Sequence, residues 1–167
     1  MDSGLDSGCT ELRLKLAGED QIALFEYWSQ RRNGRRMPAR ADIDPAELGK
    51  LLPNLMLIEA SEDPAQRTRY RYRLVGTRVV QATGEDRTGR HFDEVEFFQR
   101  FPSVLAQYGE IVEKATPQFM PEPFCNETHG TIYDVERLML PLGRSDEKVD
   151  MILVHFRFMS GPYSNGK

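Results

Sequence analysis

The sequence predicts an α+β fold: a five-stranded antiparallel sheet with short helices and one long helix on one face, plus an N-terminal helix. Three observations carry this expectation. Residues 69–74, RYRYRL, alternate strictly, so that Tyr70, Tyr72 and Leu74 share one face of an extended segment and Arg69, Arg71 and Arg73 the other. Residues 103–115 repeat at helical spacing instead, with Val104, Leu105, Tyr108, Ile111, Val112 and Ala115 on one face. Two apolar runs, 131–140 and 149–159, flank Gly143-Arg144-Ser145-Asp146 and read as a strand hairpin.

The elements follow in order. Residues 1–18 form an N-terminal arm, partly flexible, in which Leu12, Leu14 and Leu16 alternate with Arg13 and Lys15 as a short strand. A helix over residues 20–32 carries Ile22, Leu24, Phe25 and Trp28 on a wide apolar stripe, with Arg31 and Arg32 at the negative end of its dipole and Gly34 at its exit. Asp44-Pro45-Ala46-Glu47 is a capping box with proline at the first helical position, which predicts a short helix over 45–52 that Pro53 ends. Residues 55–59 are a buried strand, antiparallel to 69–75. Gly76-Thr77 breaks the second strand, Thr77 caps a short helix with Val79 and Val80, and Gly84 closes it. Asp86-Arg87-Thr88-Gly89 is a turn, and Asp93 caps the next helical segment with Glu96 at its third position. Pro121 and Pro123 assign the strand 118–124 to a sheet edge. The last strand is apolar on both faces, Ile152, Val154, Phe156 and Phe158 opposing Met151, Leu153 and Met159, so both sheet faces must be covered. The helix with Trp28, or a second subunit, is the candidate cover for the outer one. Residues 19–160 then make one domain, followed by a tail, 161–167.

Composition narrows the function. The 167 residues suffice for one domain that buries its own core. A net charge of -4 argues against nucleic-acid binding, which depends on phosphate neutralisation. No apolar run spans a bilayer, and the N-terminus lacks the basic start and apolar block of a secretory signal, so the expected location is cytoplasmic. Cys9 and Cys125 match neither a disulfide framework nor a zinc pattern. Phosphate-binding loops, dinucleotide fingerprints, nucleophile elbows and zinc-protease motifs are absent, which argues against an enzyme.

The blocks YWSQRRNGRRMPARADIDPAELGKLLPNLMLIE, YRYRLVGTRVVQATGEDRTGRHFDEV, YDVERLMLPL and VDMIL resemble a family of stand-alone, PAS-like bacterial proteins widespread in alphaproteobacteria. The likeness runs from about Ile22 to Phe158. It implies a PAS fold and non-catalytic sensing or adaptor work in bacterial signalling. It also implies a ligand site between the sheet and the short helices, for which the candidates are Tyr70, Tyr72, Leu74, Val80, His91, Phe92, Met139, Met151 and Leu153. The ligand is unassigned. Haem needs a histidine at that face, where His91 is better placed than His129 or His155, and a lone histidine disfavours it. Flavin photochemistry is rejected: Cys125-Asn126 follows the long helix and reverses the order of the photosensor motif.

Two surfaces remain. Ile22, Phe25 and Trp28 are candidates for a homodimer interface, and a kinase or regulator is the expected signalling partner. Arg31, Arg32, Arg35, Arg36 and Arg40 form the densest positive patch, whose R-x-x-x-R spacing is similar to the arm of PilZ domains that bind cyclic di-GMP. The alternatives to ligand sensing are therefore a ligand-free dimerisation or adaptor module, or a cyclic-dinucleotide or anion binder acting through these arginines.

Overall fold

The computed structural model describes residues 3–62, 64–65, 68–126, 131–159 and 163–164. Its sheet contains β1 (Leu55–Glu62), β2 (Thr68–Val75), β3 (Gln118–Asn126), β4 (Thr131–Leu142) and β5 (Met151–Phe158), all antiparallel in the order β2-β1-β5-β4-β3. A two-residue strand, β6 (Tyr163–Ser164), pairs with Thr131 and Ile132 of β4. Pro121 and Pro123 lie on the edge strand β3, where missing donors cost the ladder least. The other edge, β2, is blunted by a crossing segment. Tyr72 donates its amide to Arg90 at 2.9 Å, and Gly89 donates to the Tyr72 carbonyl at 2.7 Å.

Among the described residues there are five α-helices: α1 (Ser3–Lys15), α2 (Glu19–Arg31), α3 (Thr77–Thr83), α4 (Glu96–Arg100) and α5 (Pro102–Lys114). Helices α3 to α5 lie on the inner face of the sheet, where Met56, Tyr72, Arg137 and Phe156 point toward them. Because side chains alternate along a strand, Leu138, Leu140, Leu153 and His155 point to the outer face, and all are buried. Helix α2 covers that face. Trp28 is fully buried, and its indole Nε1 donates to the Pro141 carbonyl at 2.9 Å, while Gln21 donates to the Glu136 carbonyl at 3.2 Å. Phe25 is also buried within the single chain and Ile22 packs partly against its core. Phe25 and Trp28 are thus occupied inside the protomer, and the expectation that they form a dimer surface is corrected.

Local assignments shift for physical reasons. The expected strand over Leu12–Leu16 is the end of helix α1. Cys9, Leu12 and Leu16 lie three and seven residues apart and are buried together, leaving Leu14 exposed. The expected helix over 45–52 gives way to a hydrogen-bonded turn and a 3-10 segment, Gly49–Asn54, with Pro53 inside it. Gly76, rather than Thr77, is the cap of α3, and Gly84 ends that helix in the left-handed conformation with φ 81°. The segment after the turn begins at His91, whose backbone amide donates to Glu94 at 2.6 Å, so Asp93 sits inside a 3-10 turn, Phe92–Glu94, and does not cap it.

One irregularity changes which residues face the helices. Between β1 and β2, Ile58 pairs with Tyr72 and Leu57 with Leu74, leaving Arg73 without a partner in the ladder. This β-bulge reverses the alternation beyond it. Leu74 turns outward and is 40% exposed, while Val75 turns inward. The strand then meets Gly76, where a Cβ would lie 2.3 Å from the Leu52 carbonyl oxygen. Only glycine permits that approach.

Candidate functional site

Between the inner sheet face and α3 to α5 lies a cavity of about 190 Å³. Its body is apolar: Met56 and Phe156 from the sheet, Val75 and Val79 at the β2–α3 junction, Phe97 and Phe98 from α4, Phe101 between α4 and α5, and Val104 from α5. Three consecutive features put them there. The bulge turns Val75 inward, the Gly76 approach fixes the start of α3, and Pro102 at the first turn of α5 forces α4 to end at Arg100.

The polar part of the lining is small and specific. Arg137 projects from the inner face of β4, where Val135 and Met139 precede and follow it, and it is only 7% exposed. Its Nη2 donates to the Gln107 side-chain oxygen on α5 at 2.7 Å. Arg87, 9% exposed, comes from the turn after α3 and donates through Nε to Glu85 at 2.8 Å, with its guanidinium 5.7 Å from the Phe97 ring centroid. Each arginine stands beside a tyrosine hydroxyl. Burial raises the Tyr72 hydroxyl above its ordinary range, opposed by Arg87. Burial likewise raises Tyr108, opposed by Arg137. Both phenols are therefore neutral donors at physiological pH. No Asp or Glu is among the described residues lining the cavity.

Of the nine expected pocket residues, only Tyr72 lines this cavity. Tyr70 and Phe92 line a neighbouring groove of about 290 Å³ with Phe98 and Leu105. Val80 yields to Val79, its neighbour one position round the helix, and Leu74 is displaced by the bulge. Met139 is fully buried in the core without reaching the cavity. Met151 and Leu153 belong to the opposite sheet face, paired beside Leu142 and Leu140. His91 caps the Phe92–Glu94 turn, with Nδ1 3.5 Å from Glu94, and His155 is buried on the outer face. His129 and the Cys125 side chain lie outside the described residues. No described histidine lines the cavity, so His91 is not placed to ligate haem there. Among the described residues no group of three or more His, Cys, Asp or Glu is placed to hold a metal ion.

The residues missed from sequence differ in how visible they were. Phe97, Phe98 and Phe101 form a dense aromatic run just before the long helix, and Arg137 is a charge on the apolar face of a strand. Both are readable signals. Arg87, in a polar turn, carried none.

The arginine patch has a structural role. Arg31 pairs with Glu47, Arg35 with Asp42, and Arg40 donates to the Ile43 carbonyl at 2.8 Å. Arg32 donates to the Arg35 carbonyl at 2.9 Å and lies over Trp28, 5.5 Å from the ring centroid. Arg36 donates to the Lys114 carbonyl at 2.6 Å, tying the exit of α2 to the end of α5. Hydrogen bonds from Arg35 and then from the Ala39 amide hold the Asp42 carboxyl below its usual range. These guanidiniums fasten loops to one another within the protomer.

A sheet backed by one helical layer, with a cavity under short helices on the other face, defines an α+β module of the PAS type. The chain belongs to the PAS domain family, whose model matches residues 17–155. Among solved structures, one similar to it is the LOV protein of Rhodobacter sphaeroides, at 14% identity and a TM-score of 0.45, covering 70% of this chain and 69% of that one. No curated protein matches. PAS domains are generally sensory, non-catalytic modules that commonly mediate dimerisation and partner contacts. No helix among the described residues is long and apolar enough to cross a membrane.

Proposed function

We propose that the protein is a sensory PAS module that takes a small molecule into the cavity between its sheet and α3 to α5. It passes occupancy to a signalling partner such as a kinase or regulator. The observation that carries this reading is the cavity itself, about 190 Å³ with an apolar body and two inward arginines. The helices that wall it are suited to moving. Helix α3 has seven residues and α4 five, and neither they nor α5 have a side-chain cap. A ligand that binds one arrangement of these helices better than another shifts their populations by that difference in affinity. The reading includes a non-catalytic role, a cytoplasmic location and self-association through a surface other than Phe25 and Trp28.

The test fills the cavity. Val104→Trp should leave the far-ultraviolet circular dichroism unchanged and abolish the thermal shift that toluene produces in the wild type. A wild-type protein that neither shifts with toluene nor carries an extra native mass as purified from its own host would point to the ligand-free adaptor.

A further inference from the structure

We infer that the cavity is selective for a small monocarboxylate with one aromatic ring, its carboxylate held between Arg137, Arg87 and the neighbouring tyrosine hydroxyls. This rests on the proposal that the cavity takes a ligand, and adds the ligand's class.

Size comes first. An apolar cavity of roughly 150 Å³ holds benzene. At about 190 Å³ this one has room for a ring and a substituent of a few atoms, and none for a nucleotide or a flavin. Shape and chemistry come next. The ring space is bounded by Phe97, Phe98, Phe101 and Phe156, whose faces and edges favour another aromatic group. Charge decides the substituent. Two guanidiniums line the cavity and no described carboxylate does. Arg87 is paired with Glu85 behind the wall, while Arg137 donates to the neutral Gln107, so the net positive lining favours an anion over a cation. A guanidinium presents its N–H groups as a planar fork that fits a carboxylate in two parallel bonds. Gln107 and Glu85 hold the two forks in place before any ligand arrives, which reduces the ordering cost of binding. Neutral Tyr72 and Tyr108 add hydroxyl donors rather than repelling charge. The first turn of α5 completes the field, since Ser103 and Val104 line the cavity at the positive end of a 13-residue helix.

The experiment is a calorimetric and ligand-observed NMR series on the full chain with toluene, benzoate, phenylacetate, benzamide and benzylamine. Benzoate or phenylacetate should bind about tenfold or more tightly than benzamide, with benzylamine weakest. Arg137→Gln and Arg87→Gln should each weaken the acids by about tenfold or more beyond any change in toluene affinity. Toluene binding also reports folding. Should Arg137→Gln fail to fold, Arg87→Gln, placed in a turn, gives the same comparison. Benzamide equalling benzoate, or acids unaffected by both substitutions while toluene still binds, would overturn the carboxylate class and leave ligand binding standing. Failure of every probe, toluene included, would overturn both.

Discussion

The rings of Phe98 and Phe92 stack with centroids 4.0 Å apart and planes 11° from parallel, and this pair separates two spaces. Phe98 lines the cavity on one side and the groove beside Tyr70 and Leu105 on the other. Removing it should join them. Phe98→Ala is expected to destabilise the fold by about 3 kcal/mol, because a buried phenyl leaves a cavity its neighbours fill only in part. It should also admit naphthalene as well as toluene, read by thermal shift. Wild-type selectivity in the variant would show that the partition lies elsewhere.

His155 makes stability depend on pH. Its ring lies between Leu55 and Leu138 on the outer face, 2% exposed, and neither nitrogen hydrogen-bonds to a described residue. Burial pushes its pKa down to about 4, only partly opposed by Asp20. The unfolded chain protonates near the ordinary value of about 6.5, so between these values the unfolded state holds more protons. The contribution of a neutral His155 is therefore complete above pH 6.5 and falls as pH falls, by about 3 kcal/mol at pH 4. Urea titrations across that range should show a shallower pH dependence for His155→Leu, which ought to match or exceed the wild type at pH 7. Parallel curves for the two proteins would assign the dependence to other groups.

Trp28 belongs to the fold of one protomer. Trp28→Phe removes the donor to the buried Pro141 carbonyl and part of the ring volume, and should lower the unfolding free energy by about 2 kcal/mol. Mass by light scattering should be unchanged. A variant that dissociates would restore this residue to an interface.

Gly76 tolerates no side chain. An added Cβ meets the Leu52 and Pro53 carbonyl oxygens at 2.3 and 2.4 Å, both backbone atoms, so relief requires moving the β2–α3 junction. Gly76→Ala should cost about 3 kcal/mol and weaken toluene binding, since Val75 and Val79 flank the displaced point.

The bulge makes a paired prediction. Leu74→Thr, at an exposed position, should change stability by less than about 0.5 kcal/mol. Val75→Thr places a hydroxyl among apolar groups and should cost about 1 kcal/mol or more. Equal effects would mean that the strand alternates without interruption.

Much of the fold was legible because periodicity reports burial directly. The Trp28 stripe, the face shared by Tyr108 and Ile111, and the two-sided β5 each imply an element and a partner surface. Leu12, Leu14 and Leu16 misled because spacing by two, over five residues, also contains a four-residue repeat. Packing of Cys9, Leu12 and Leu16 decides for the helix. Expecting Phe25 and Trp28 at a dimer interface went wrong differently. An apolar stripe specifies that it will be covered and leaves open by what.

Across residues 69–95, the sequence by itself determined a strand, a glycine break, a short helix closed by Gly84, and a polar turn, since those follow from local sterics and alternation. Only the tertiary structure decided that Arg73 bulges, that Val75 and Val79 face the cavity in place of Leu74 and Val80, and that Arg87 and Arg137, far apart in sequence, line the same cavity. A bulge depends on the partner strand, and a cavity on what five separate segments leave unfilled. Neither is a property of any one stretch of chain.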